Sequence, residues 1–260
     1  GIILKQGQLT LGAFNITIPT LGTISTPAAF SSSTMIVADG AGQLIKTFPA
    51  SAASFLYPIG DSNGSANGAE YSPVNWNFTV NATSRTLGFR VIDALHPNEI
   101  SYTTNKLSRY WPCTSNSTAA FTANFDFTYS PANDVSGTEN LLKLNTYEPT
   151  TTTFTEYTSS VSSPVVSATG ITNTSLNLST AFDFTARLKE PVYYRSTGST
   201  AWNVLSTWEV SSDPNFTSPA PVAATVLPTA TNSDGILIKT GDNVTLPASI
   251  LIDDLTINGT

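Results

Sequence analysis

The feature that most limits the fold of this chain is a series of segments in which every second residue is apolar. Val74, Trp76, Phe78 and Val80 form one such series, and Phe121–Tyr129 contains another. A period of two places alternate side chains on one face of a β-strand. Gly, Pro, Thr and β-branched residues dominate the segments between, and they are poor helix formers. The chain is therefore predicted to be all-β.

The central part, residues 54–190, is predicted to form a β-sandwich of the Ig-like or jelly-roll type. It contains at least seven alternating segments at a spacing of roughly 10–15 residues, separated by turns rich in Gly, Pro, Asn and Asp. Inward-facing aromatic residues would fill the space between the two sheets. The predicted core residues are Trp76, Phe78, Phe89, Trp111, Phe125 and Phe127.

The two flanks have shorter alternating segments punctuated by Gly, a pattern typical of the stacked coils of a parallel β-helix, or solenoid. Residues 1–53 are predicted to form such rungs. Residues 191–260 are predicted to form a linker strand and the start of the next solenoid segment. Ile236–Thr240 repeats the pattern of Gln43–Thr47. Leu255–Gly259, at the end of the chain, resembles Gln8–Gly12 and Asn15–Ile18 near its beginning, so the chain is expected to be one copy of a tandem array within a longer protein.

Composition excludes some classes of partner. Charged residues make up only 11% of the 260 residues, the net charge is −7 and the pI is about 4.5. A nucleic-acid-binding protein would carry a basic surface, so no nucleic-acid partner is expected. The acidic balance also disfavours anionic membrane surfaces, and no apolar run is long enough to span a bilayer. No membrane insertion is expected.

Several short motifs, in this order, resemble those of large secreted surface proteins of Bacteroidetes-type bacteria. The motifs are Tyr57–Asp61, Tyr71–Val74, Ala94–Asn98, Leu107–Trp111, Asn133–Glu139, Tyr193–Ser196 and Thr207–Glu209. The resemblance covers nearly the whole chain. It implies a repeat unit of an adhesin-like or filament-forming protein, exported by the type IX secretion system to the extracellular bacterial cell surface. The implied partners are neighbouring repeats of the same polypeptide or other copies of it, and surface polysaccharide. The family supplies no catalytic residues.

One loop has the composition of a metal site. Asp61, Asn63, Asn67 and Glu70 offer the oxygen ligands that calcium prefers, although their spacing differs from that of an EF-hand. The other interpretation is an ordinary Asx/Gly turn between two strands. Calcium at these four residues is the single metal or cofactor hypothesis that the sequence supports.

Residues suited to catalysis are few, so no enzymatic activity is expected. His96 is the only histidine, and it is predicted to shape a turn. No Gly-x-Ser-x-Gly nucleophile elbow is present. The carboxylates that a glycosidase would need are scattered along the chain. Arg109 is predicted to pair with a carboxylate such as Glu139, and Cys113, the only cysteine, is predicted to be a buried apolar residue.

The functional prediction is a structural repeat of a surface adhesin or filament. The alternative is a carbohydrate-binding module of a secreted protein, in which exposed aromatic side chains stack on sugar rings. Trp76, Trp202 and Trp208 are the candidates for that platform. Exposed, coplanar tryptophans would favour the alternative, and buried tryptophans would favour the structural repeat.

Overall fold

The structure is a computed structural model that describes residues 1–64, 68–99, 104–178, 181–188, 191–230 and 232–258. It is 45% strand and 4% helix, which confirms the all-β class. Within those ranges the strands form several sheets. The chain divides into two compact units. The first comprises Gly1–Asn98 and Thr104–Leu188, and the second is formed mainly by the residues from Lys189 onward.

The first unit contains the strands β1 to β20. They are β1 (Ile2–Ile3), β2 (Leu9–Thr10), β3 (Ile16–Ile18), β4 (Ile24–Ser25), β5 (Ile36–Val37), β6 (Leu44–Phe48), β7 (Ala53–Tyr57), β8 (Ile59–Gly64), β9 (Gly68–Tyr71), β10 (Val74–Asn81), β11 (Arg85–Phe89), β12 (Lys106–Leu107), β13 (Trp111–Ser115), β14 (Phe121–Thr128), β15 (Val135–Ser136), β16 (Lys143–Glu148), β17 (Thr153–Glu156), β18 (Ser159–Ser162), β19 (Val165–Thr172) and β20 (Phe182–Arg187). Two helical turns accompany them, α1 (Pro131–Asp134) and a 3₁₀ turn (Glu139–Leu141).

Two sheets of this unit pack face to face, as the sandwich prediction requires. One is antiparallel, in the order β18-β19-β14-β10-β7. The other runs β15-β12-β20-β13-β11-β6-β3, with β16 and β17 branching from β20. Trp76 of the first sheet lies with its ring 5.7 Å from Phe89 and 6.0 Å from Phe184 of the second. The core therefore lies between the two sheets.

All six predicted core residues are buried, each at most 1% exposed. Trp76 stacks on Phe125 with a centroid distance of 4.5 Å. The prediction that Val80 shares the inward face is wrong, because Val80 is 55% exposed. A β-bulge between Phe78 and Val80 shifts the register of β10 against β14 and turns the following side chain outward.

The N-terminal strands pair in parallel. β1 pairs with β4, β2 with β5, β3 with β6, and β5 with β8. The chain segments between these strands approach closely, since a Cβ added to Gly40 or Gly42 would lie 2.3 Å from the backbone oxygen of Gly12 or Phe14. β6 also pairs antiparallel with β11, so residues 1–53 belong to the same compact unit as the sandwich.

The second unit contains one sheet in the order β23-β22-β21-β24-β25. Its strands are β21 (Tyr193–Ser196), β22 (Trp208–Ser211), β23 (Val222–Ala223), β24 (Gly235–Ile238) and β25 (Leu255–Ile257), and a 3₁₀ turn spans Leu205–Thr207. The strands β21, β24 and β25 are parallel neighbours. A small core surrounds Trp202 and Trp208, whose rings lie 4.7 Å apart.

In the part of the chain that the structure describes, no helix has the length and apolar character needed to cross a membrane.

Candidate functional site

The strands β8 and β9 form the hairpin that carries the predicted calcium loop. Their register places Asp61 directly opposite Glu70. The preceding Gly60 allows the two strands to meet, since an added Cβ would lie 2.1 Å from the Glu70 carbonyl oxygen and 2.4 Å from the sulfur of Met35. Asp61 and Glu70 are 2% and 9% exposed, so both carboxylates point into the protein.

Arg109, which is fully buried, joins this hairpin to two other segments. Its Nη1 donates to Asp61 Oδ2 at 2.7 Å, and its Nε donates to Asp134 Oδ2 at 2.7 Å. Its Nη2 contacts Glu70 and lies 3.2 Å from Asp93 Oδ1. We call these five residues the Arg109 cluster. One guanidinium thus holds together four carboxylates from distant parts of the first unit.

The Arg109 cluster carries more negative than positive charge. Four carboxylates face one guanidinium, a formal excess of three negative charges if all are ionised. Burial raises the pKa of Asp61 and of Asp134, although the nearby guanidinium acts in the opposite direction. Burial alone would lower the pKa of Arg109, but its bonds to Asp134 and Asp61 raise it overall. The arginine therefore stays charged, and the carboxylates are incompletely neutralised.

Among the described residues, Asp61 Oδ1 and Asp134 Oδ1 are buried carboxylate oxygens of the cluster without a hydrogen bond. The other oxygen of each group accepts from Arg109, and Asp134 Oδ2 also accepts from the Ser130 amide at 2.6 Å. A buried acceptor without a partner costs about 1–3 kcal/mol. The cluster thus retains unused ligand atoms.

An open groove of about 550 Å³ lies beside the cluster. Tyr71, Tyr129 and Ser130 contribute to its wall, together with Phe30. Glu70 also lines it, and its side chain is 10% exposed, so this carboxylate connects the groove with the buried cluster. The groove therefore gives solvent access to Glu70, one of the four carboxylates of the cluster.

Comparison of the chain with protein-family models, with curated proteins and with solved structures gives no match. Any functional interpretation therefore depends on the residues and their geometry.

The structure brings together two of the four residues predicted to hold calcium, Asp61 and Glu70. Asn67 and the side chain of Asn63 lie outside the described residues. Sequence reasoning missed Asp93 and Asp134 as members of this cluster. The available signal was the position of Arg109 between Leu107 and Trp111, which are inward-facing residues of the same alternation. An inward-facing arginine needs buried carboxylates.

The prediction that Arg109 meets a carboxylate is confirmed, but the expected partner was wrong. Arg109 contacts the four carboxylates of its cluster, whereas Glu139 accepts a hydrogen bond from the Tyr129 hydroxyl at 2.8 Å. Burial raises the pKa of Tyr129, and the hydrogen bond to Glu139 raises it further. Glu139 lies in a short 3₁₀ turn outside the sandwich strands, where it is only partly buried.

His96 is enclosed by protein. It is 2% exposed, its Nε2 lies 3.1 Å from Asp183 Oδ2, and its Nδ1 accepts from the Asn98 amide at 3.2 Å. The ring also packs against the aromatic rings of Tyr147 and Phe154. These contacts agree with the predicted role in shaping a turn.

The three tryptophans assigned to a sugar-stacking platform cannot form one. Trp76, Trp202 and Trp208 are 0%, 3% and 1% exposed. Trp202 and Trp208 pack against each other, and the Trp208 indole N–H donates to the Trp202 carbonyl oxygen at 2.9 Å. Each ring face is used for core packing, so none is available to a sugar.

Cys113 is predicted to be unreactive in the folded protein. It is 1% exposed. Burial raises the pKa of its thiol well above the ordinary value, and the negative charge of Asp183 raises it further. The reactive species is the thiolate, which such a pKa suppresses at pH 8. We expect a thiol reagent such as dithionitrobenzoate to label no cysteine in the native protein and one per chain in guanidinium chloride. Stoichiometric labelling of native protein within minutes would contradict this placement.

Proposed function

We propose that this chain is a structural repeat of a large extracellular adhesin or filament of the bacterial cell surface, in which the unit folds, stacks and extends without catalysis. The observation that supports this most is the parallel pairing of the N-terminal strands β1, β2 and β3 with β4, β5 and β6. We interpret these pairs as successive coils of a short parallel β-helix.

Among the described residues, the hydrogen bonds of the first coil leave one edge free for another coil. The amides of Ile2, Leu9 and Ile16 bond to the second coil. By the alternation of a parallel ladder, the amides of the following residues point to the opposite side. The residues concerned are Ile3, Thr10 and Thr17. They recur every seven residues along three successive strands, so the free edge is regular and suited to a further coil.

The second unit ends in a comparable way. β21 pairs in parallel with β24, and β24 pairs in parallel with β25, so two parallel strands precede the last one. A parallel bridge between Ala201 and Thr245 adds a second contact between the segments that follow β21 and β24. Large apolar side chains are exposed near both ends. Phe14 and Leu21 are 79% and 95% exposed in the N-terminal segment, and Leu251 is 83% exposed in the C-terminal segment. Burial of such side chains contributes about 1.5–3 kcal/mol each. Stacking of β25 of one copy on the first coil of the next would bury apolar surface and pair the free amides.

The cell location and lineage are supported by sequence features. The ordered motifs resemble those of Bacteroidetes surface proteins, which are substrates of the type IX secretion system. The net charge of −7 suits a solvated surface polymer. The partners in this proposal are neighbouring repeats of the same polypeptide or other copies of it.

Stacking can be tested with two copies joined head to tail in one polypeptide. We expect the tandem protein to melt at a higher temperature than the single copy, since an interface between repeats adds to the stability of each. The test variant carries Thr10→Pro and Thr17→Pro in the second copy of the tandem protein. Proline lacks an N–H, so these changes remove two of the amides that face the preceding copy. The hydrogen bonds between the first and second coils within that copy are kept. These changes should abolish the gain.

Thr10→Val with Thr17→Val is the matched control, because both amides are retained and both side chains are exposed. It should keep the gain in melting temperature. A tandem protein that melts at the same temperature as the single copy would contradict stacking.

A further inference from the structure

Three carboxylates of the Arg109 cluster lie close enough together to share one ion. One carboxylate oxygen from each of Asp61, Glu70 and Asp93 lies within 4.8 Å of the others. Oxygens bound to one calcium ion lie about 2.3–2.6 Å from it, so two of them are at most about 5 Å apart. The three residues come from two strands of one hairpin and from a segment beyond β11, which the fold holds in place.

The second carboxylate oxygen of Asp61, Oδ1, supports the presence of a bound cation. Asp61 is 2% exposed, and its Oδ1 is fully buried with no hydrogen bond among the described residues. Arg109 neutralises one charge of the cluster and occupies only Oδ2 of Asp61. A buried, ionised carboxylate is costly unless it is paired or coordinates a metal. A cation would supply a partner that the described residues do not.

The donor set selects the kind of cation. The cluster offers carboxylate oxygens, which suit hard cations such as calcium, whereas zinc and copper favour nitrogen and sulfur. The only histidine and the only cysteine of the chain make their contacts elsewhere, with Asp183 and Thr114. Calcium also tolerates irregular geometry and more ligands than magnesium, and water from the groove beside Glu70 can complete its shell.

We propose that Asp61, Glu70 and Asp93 bind a calcium ion that enters through the groove beside Glu70. The ion reduces the excess negative charge around Arg109 and links the β8–β9 hairpin to the segment that carries Asp93. This set differs from the loop predicted by sequence, because Asp93 replaces the two asparagines. The site is independent of stacking between repeats, so either proposal can fail without the other.

The test is thermal unfolding of the chelator-treated full chain at pH 7.5, with and without calcium chloride. At a calcium concentration about 100 times Kd, the melting temperature of the first unit should rise by roughly 5–10 °C. Titration calorimetry of the same protein should give one calcium per chain. Asp93→Asn and Glu70→Gln should each reduce this shift to less than about a third, whatever their own melting temperature without calcium.

Asp126→Asn is the matched control, because Asp126 lies on β14 and bonds to Asn75 outside the cluster. This variant should keep the full calcium shift. The proposal is overturned if calcium neither binds nor raises the melting temperature of the wild-type chain. It is also overturned if both cluster variants respond to calcium as the wild type does, since the ion then binds elsewhere.

Discussion

Replacement of Arg109 with Met is expected to destabilise the first unit by about 3–5 kcal/mol, among the largest effects of any single substitution in this chain. The guanidinium is fully buried and contacts four carboxylates, two of which it holds at 2.7 Å. Met fills a similar volume but carries no charge. The carboxylates of Asp61 and Asp134 would then remain buried without their cation. Urea unfolding followed by far-ultraviolet circular dichroism measures the change.

Arg90→Met is the matched control for this substitution. Arg90 lies in the same unit, is only partly buried, and donates one bond from Nη1 to the Gly40 carbonyl oxygen at 3.2 Å. Its loss should cost no more than about 1.5 kcal/mol. If both variants unfold at the same urea concentration, the Arg109 cluster does not stabilise the fold as described.

Truncation of Trp111 to Ala should cost about 3–5 kcal/mol, the range for removal of a large aromatic side chain from a core. Trp111 is fully buried, and its ring lies 5.1 Å from that of Phe127. Its indole N–H donates to the Ser72 carbonyl oxygen at 3.1 Å, which joins the sandwich to the end of the β8–β9 hairpin. The loss therefore combines a cavity with a broken buried hydrogen bond.

A pair of milder substitutions separates these two contributions. Trp111→Phe removes the indole N–H that bonds to Ser72, whereas Trp76→Phe removes an N–H that has no partner among the described residues. We expect Trp111→Phe to be the more destabilising of the two, by about 1 kcal/mol. Equal unfolding midpoints would show that the bond to Ser72 contributes no stability.

The strands of the sandwich were predictable because alternation is a local property. Phe125 and Phe127 follow one another at a spacing of two, and both are buried as expected. Val80 belongs to the same kind of pattern but is exposed, because the bulge in β10 depends on its register with β14. That register is set by residues more than forty positions away in the sequence, and alternation alone does not contain it.

The candidate site was predictable only in part, because some of its residues are brought together by contacts between distant parts of the sequence. Asp61 and Glu70 are nine residues apart across one turn, so a hairpin brings them together. Asp93 and Asp134 reach the cluster only when several sheets assemble around Arg109. The parallel pairing of the N-terminal strands was suggested by their short, Gly-punctuated pattern. The pairing of β6 with β11, which joins these strands to the sandwich sheet, was not predicted because it is non-local.

In the proposed array, copies of this chain stack end to end through the free edge of the first coil. Negative-stain electron microscopy of a polypeptide with four copies in tandem should then show a continuous, stiff rod whose length increases in equal steps with the number of copies. Separate globular particles joined at variable angles, as beads on a flexible string, would rule out stacking between copies.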